Sequence, residues 1–163
     1  MAPIKTSSKN LITIPQLKLA CRHVKEMEDA GMTENFAIRG LELFADAYAR
    51  QSLGGRGRFQ PLHVRHIDLW SKAALKMKKR FPKRRPLEYL RVEHGTPRRE
   101  FARLVLNLYK KNRLTDLTVK HLVQRYWKLA VITLEEDGRL NKVARKTMLS
   151  SPWKRWAKAK IRF

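Results

Sequence analysis

Leu129-Ala130-Val131-Ile132-Thr133-Leu134-Glu135-Glu136 is the stretch on which the fold turns. Its first four residues are apolar and include two β-branched side chains, and so short a run suits a buried strand. Thr133 and Glu136 follow at the spacing of a capping box, in which hydroxyl and carboxylate each satisfy a free amide at a helix start. The pattern predicts a helix from about Leu134 to Met148. A buried strand running straight into a helix places a small sheet in the C-terminal half.

Working outward, Tyr89-Leu90-Arg91-Val92-Glu93 alternates in the manner of a strand, and Lys160-Ile161-Arg162-Phe163 offers a third, at an edge. Between the two inner strands, Thr96-Pro97 opens a helix with Phe101, Val105 and Leu108 on one side. Thr115 or Thr118 caps another, with Leu122, Val123 and Tyr126 inward. Ser151-Pro152 begins a short helix carrying Trp153 and Trp156. Upstream, residues 1–12 read as loose. Thr13-Ile14-Pro15 starts a helix in which Leu17, Ala20, Cys21, Val24 and Met27 recur at helical spacing, and Gly31 stops it. A second helix is expected from Thr33 to Gly54-Gly55, with Phe36, Ala37, Leu41, Phe44 and Tyr48 on one face. A third is expected from about His63 to Arg80, with Ile67, Trp70, Ala74 and Met77 inward, and Pro82 and Pro86 forbid its continuation. The fold class is α+β, mostly α-helical with a two- or three-stranded sheet in the C-terminal half. The expected division is a helical hairpin over 1–60 and a basic α+β region over 61–163, or one continuous domain.

The 163 residues carry 37 Lys and Arg against 14 Asp and Glu, a formal net charge of +23. The excess is lopsided: residues 1–50 hold seven basic and six acidic side chains, and the rest holds nearly all the surplus. Such self-repulsion calls for a polyanionic partner, and nucleic acid is the commonest. With 43% apolar residues the chain can build a core and is no disordered polycation. Cys21 is the single cysteine, which excludes an internal disulfide and a thiolate zinc site. No apolar run reaches the roughly 20 residues that span a bilayer. An intracellular, cytoplasmic setting without membrane contact is the expectation.

Seven of the ten residues Lys76 to Arg85 are basic, and Lys142 to Arg162 holds eight basic residues and no acid. The phosphate contacts expected from these clusters and the Gly54–Phe59 loop are Arg56, Arg58, Lys78, Lys79, Arg80, Lys83, Arg84, Arg85, Lys154, Arg155 and Lys158. Phe59, Phe81, Trp153 and Trp156 lie among the charges, either to stack on unpaired bases or as core. The Lys78–Arg85 run also reads as a nuclear import signal.

The densest reactive chemistry is Arg91-Val92-Glu93-His94-Gly95-Thr96-Pro97-Arg98-Arg99-Glu100. A carboxylate and an imidazole end a strand, and two arginines follow in the first turn of a helix. Phosphodiester cleavage needs a group to activate a nucleophile and positive charge to stabilise the transition state. Glu93-His94-x-x-Pro97, with a later apolar strand and Thr133-x-Glu135-Glu136-Asp137, resembles the HNH (ββα-metal) endonuclease core over about residues 93 to 141. The resemblance implies Glu93 as a ligand of Mg²⁺ or Mn²⁺ and His94 as the general base. Asp137, or Asn141 a helical turn later, would be the last ligand; Arg98 and Arg99 would clamp phosphate. The usual central asparagine has no counterpart before Val131, and two helices separate the strands. A purely structural reading pairs Glu93 with a nearby arginine and has His94 cap the strand-to-helix turn.

His63-x-x-His66 shares one helical face and is a further, poorer metal candidate. No phosphate loop, dinucleotide fingerprint, nucleophile elbow or zinc-finger spacing is present. Two functions are therefore expected from different classes. One is a small nuclease that cleaves phosphodiester bonds with metal assistance. The other is a non-catalytic DNA- or RNA-binding protein of architectural, replication or ribosome-associated type. The nearly neutral hairpin, residues 13–54, is a candidate surface for a protein partner.

Overall fold

The computed structural model describes residues 11–52 and 64–163, the side chain of His66 excepted. The expected loose start, the Gly54–Phe59 loop with Arg56 and Arg58, and the His63-x-x-His66 pair fall outside that description. The chain forms two compact units, each made of two stretches: 1–60 with 101–124, and 61–100 with 125–163. The segment 101–124, grouped with the basic region on sequence, is thus part of the first unit.

The described part of the first unit is helical. Helix α1 (Ile14–Asp29) opens on a capping box in which Thr13 and Gln16 bond reciprocally, and it buries Leu17, Cys21 and Val24 at helical spacing. Gly31 follows with φ +87°, a left-handed turn that suits glycine. The single helix expected from Thr33 is two: α2 (Glu34–Ala37) and α3 (Arg39–Ser52). The break falls at Ile38, which is wholly buried. Phe36, expected inward, is 64% exposed, while Leu41, Ala45 and Tyr48 of α3 are buried. The partner stretch carries most of α5 (Arg98–Lys110) and α6 (Asp116–Tyr126), the latter capped by the Thr115 hydroxyl. Glu34 of α2 pairs with Arg103 of α5 at 2.7 Å, and the Tyr48 hydroxyl of α3 donates to Asp116 of α6. These bonds bring the sequence-distant stretches together.

The second unit is built on strands β1 (Leu90–His94) and β2 (Leu129–Thr133), paired antiparallel with Val92 opposite Val131 and Glu93 opposite Ala130. Side chains alternate between faces of a strand. Leu90, Val92, Leu129 and Val131 pack with Ala74, Met77 and Phe81 of the α4 region (α4, Lys72–Arg80). Ala130 and Ile132 pack on the other side with Leu140 and Ala144 of α7 (Leu134–Ala144) and Trp156 of α8 (Pro152–Lys158). The capping box at Thr133 and Glu136 forms as expected.

Three boundaries differ from expectation, each for a packing reason. The helix foreseen from His63 begins at Lys72, because residues 69–71 run extended beside β2: Val131 N donates to Leu69 O at 2.8 Å and Ser71 N to Val131 O at 3.0 Å. The contact is a single parallel bridge between Trp70 and Val131, outside the two-stranded sheet. The segment Lys160–Phe163 is no strand; Lys160 takes φ +57°, Ile161 enters the core and the Arg162 carbonyl accepts from Lys72 N at 2.8 Å. The end of α4 falls at Arg80 as expected, and Lys78, Lys79 and Arg80 form its last turn, where cations complement the helix dipole. Helix α7 ends at Ala144, short of Met148, where the Ala144 carbonyl accepts from a buried arginine of α8.

Glu136 is buried, and its Oε2 accepts from Ser71 Oγ at 2.6 Å and Thr133 N at 2.9 Å. Ser71 in turn caps α4 by accepting from Ala74 N. One carboxylate thus joins the starts of two helices, whose free amide ends favour a negative charge. No helix among the described residues is long and apolar enough to cross a membrane.

Candidate nucleic-acid interface

Glu93 and His94 are neighbours on a strand, and neighbours on a strand face opposite ways. Glu93 turns to the α7–α8 side, where its Oε1 accepts from Arg155 Nη1 at 2.6 Å. His94 sits edge-on to Trp127, ring centroids 5.0 Å apart. The pair foreseen as metal ligand and general base is thus engaged on the two faces of the strand end, with the charge of His94 still acting on Glu93.

Arg155 departs furthest from its expectation. Its sequence neighbourhood places it among the phosphate contacts, but only 3% of it is exposed. Its guanidinium donates to the Ala144 carbonyl at 3.0 Å, to Glu93 and to the His94 carbonyl at 2.8 Å. It fastens the end of β1 to the end of α7. The physical reason is helical phase: Pro152, Arg155, Trp156 and Ala159 share one buried face. That spacing is readable in the sequence. Trp156 lies on the same face and is core, whereas Trp153 points outward and is 45% exposed.

Burial pushes the Glu93 carboxyl above the ordinary carboxylate range; Arg155 and then the charge of His94 oppose the shift, and Asp137 adds to it. Asp137 is half-buried in the first turn of α7, near enough for its charge to act on Glu93. Glu135 is exposed and pairs with Arg139 at 2.7 Å. Arg98 is exposed at the start of α5 and Arg99 is half-buried. Glu93 is engaged by a buried arginine, and among the described residues no three His, Cys, Asp or Glu side chains are grouped so as to hold a metal ion.

Gly95, read as part of a reactive turn, has a packing reason instead. A Cβ there would run into Pro152 Cβ and lie 3.0 Å from Trp156 Cζ2, so glycine lets α8 close on the end of β1. Thr96, buried, donates to the Tyr126 carbonyl at 2.7 Å and holds the turn from within.

The cationic residues are distributed differently. The second unit holds 23 basic and seven acidic side chains. Lys76, Lys78, Lys79, Arg80, Lys83, Arg84 and Arg85 are all exposed, and none is in an ion pair with a described acid. Several lie on aromatic rings: Lys78 Nζ is 4.7 Å over Trp70, and Arg84 and Arg80 are 4.7 and 5.3 Å over Phe81. Cation–π contact orders the stems without neutralising the charge. Lys154 and Lys158 of α8 are exposed as well. Lys128, absent from the expected contacts, stands 5.9 Å over the Trp153 ring. Nothing local marks that pairing, because 25 residues separate the two. Compared with known proteins, the chain matches no family model, no curated protein and no solved structure.

Proposed function

We propose that this chain is a nucleic-acid-binding protein whose second unit grips the phosphate backbone. The observation that carries the reading is the run from Lys76 to Arg85, with seven exposed cations and no described acid paired to any of them. Three acids of that unit serve its interior or its own surface: Glu93 holds Arg155, Glu135 holds Arg139, and Glu136 caps a helix. Positive charge left over in this way attracts a polyanion from outside. The arginines among the seven suit phosphate oxygens through their planar forks.

Metal-assisted cleavage, the function that the HNH resemblance implies, draws less support. Its carboxylate is engaged by Arg155 and its histidine faces the other side of the sheet. Binding without catalysis is the better-supported function.

Mobility shifts with DNA and RNA across a salt series test it. Contact with six or more phosphates lowers affinity by about 10³ or more between roughly 50 and 200 mM salt. Equal retention in dilute and molar salt would sink the proposal. Digestion of plasmid and total RNA with Mg²⁺, Mn²⁺ or chelator, by the wild type and His94→Ala, decides the enzymatic question. Metal-dependent cleavage that vanishes in His94→Ala would restore the nuclease.

A further inference from the structure

Trp153 is the one exposed aromatic side chain among the described aromatics of the second unit. Its ring stands nearly perpendicular to Trp156 and to Phe163, at 80° and 88°, with centroids 5.4 Å away in both cases. Trp156 is wholly buried, so this aromatic group is anchored in the core while Trp153 reaches water. The ring is held in place yet half uncovered. Lys128 Nζ lies 5.9 Å over it, Lys154 and Lys158 are exposed on the same helix, and no acid occurs from Lys142 to Arg162. Other rings of the unit carry closer cations, Trp70 with Lys78 at 4.7 Å and Phe81 with Arg84 and Arg80 at 4.7 and 5.3 Å.

We infer that Trp153 is a stacking platform for an unpaired nucleobase, so that the ligand of the second unit is single-stranded nucleic acid. The inference rests on the nucleic-acid-binding reading and narrows it. A held indole loses little conformational freedom when a base settles on it, and every base has a π-face to offer. Cations on both sides in sequence, Lys128 and Lys154, give the flanking phosphates their counter-charge. A duplex hides its base faces within the stack, so it gains the phosphate contacts and not the stacking.

The test uses the full chain, fluorescently labelled oligo-dT, oligo-U and a DNA duplex at matched salt, and three forms: wild type, Trp153→Leu and Trp153→Phe. The wild type is expected to bind single strands more tightly than duplex and to show quenched tryptophan fluorescence on binding. Trp153→Leu should weaken single-strand binding on the order of 5- to 150-fold. Its salt slope and duplex affinity should be unchanged. Trp153→Phe keeps a ring and the packing, so it should bind nearly as well while the quenching is lost, which keeps the test sound even where the leucine variant unfolds. Response to either sugar supports the inference, and the stronger arm names the source. If Trp153→Leu, folded by its melting transition, weakens single strand and duplex alike or neither, or if quenching persists in Trp153→Phe, the platform is refuted and phosphate binding stands. If the wild type binds none of the three at low salt, both readings fall.

Discussion

The two units handle charge in opposite ways. In the first, with 14 basic and seven acidic side chains, ion pairs run along and between helices: Arg22 with Glu26, Arg50 with Asp46, Arg103 with Glu34 and Lys120 with Asp116. In the second, the ion-paired acids hold particular places and the clustered cations around Arg80 face water without one. Charges matched at home contribute to the fold, modestly where they are exposed. Charges left unmatched act on what comes from outside. The difference teaches where to look for a partner, and it can be attacked by experiment.

The strongest challenge removes the unmatched set. Replacing Lys78, Lys79, Arg80, Lys83, Arg84 and Arg85 by glutamine should cost nucleic-acid affinity on the order of a thousandfold at low salt. The log–log salt slope should shallow by about 0.9 per lost phosphate contact. The same treatment of Lys18, Lys25, Lys110 and Lys111, exposed residues of the first unit, should change affinity by less than about tenfold and the slope by little. Equal losses from both sets would erase the contrast between the units.

Next in size is the buried pair. Arg155→Met leaves Glu93 enclosed without its cation and frees the carbonyls of His94 and Ala144. A loss of about 3–5 kcal/mol in urea unfolding is expected. A loss below about 1 kcal/mol, as for a surface arginine, would return Arg155 to the phosphate-contacting set.

How much of this is legible in the sequence depends on distance along the chain. Both capping boxes, at Thr13 and Thr133, both strands and the helix starts at Ser151 and Thr115 are readable, because each is written within a few consecutive residues. The α+β class follows from them. The failed boundaries all involve remote partners. Residues 69–71 leave the helical pattern because Val131 pairs with them, and α7 stops where Arg155 reaches it. At the candidate site, strand alternation places the side chains of Glu93 and His94 on different faces. The inward turn of Arg155 can be had from its spacing to Pro152 and Ala159. The place of Lys128 cannot, since a cation 25 residues from its ring leaves no local signature.

Smaller effects bear on how the second unit is held. Gly95→Ala sets a methyl against Pro152 and Trp156 and should cost about 1–3 kcal/mol of unfolding free energy. Ser71→Ala removes the α4 cap and one of the bonds to buried Glu136, for about 1–2 kcal/mol by the same measurement. The smallest effect is on pH. Glu93 ionises above its ordinary value of 4.5 in the folded chain, so the folded state binds more protons than the unfolded one between those two values. Stability from this group is fully present below about 4.5 and declines as pH rises through the folded value. Unfolding curves of Glu93→Gln against pH should lack that decline. A decline of equal steepness in the variant would assign it to another group.

The Arg155–Glu93 clasp spans 62 positions of the chain, and the β1–β2 pair joins Val92 to Val131. A ribosome delivers Glu93 long before either companion. Until then the strand has an open edge and a carboxylate still in water, and closure waits on loops whose ordering entropy must be met first. Closure of β1 on β2 should consequently come late in the refolding of this unit, with Arg155 engaged late, so that its replacement hastens unfolding far more than it delays folding.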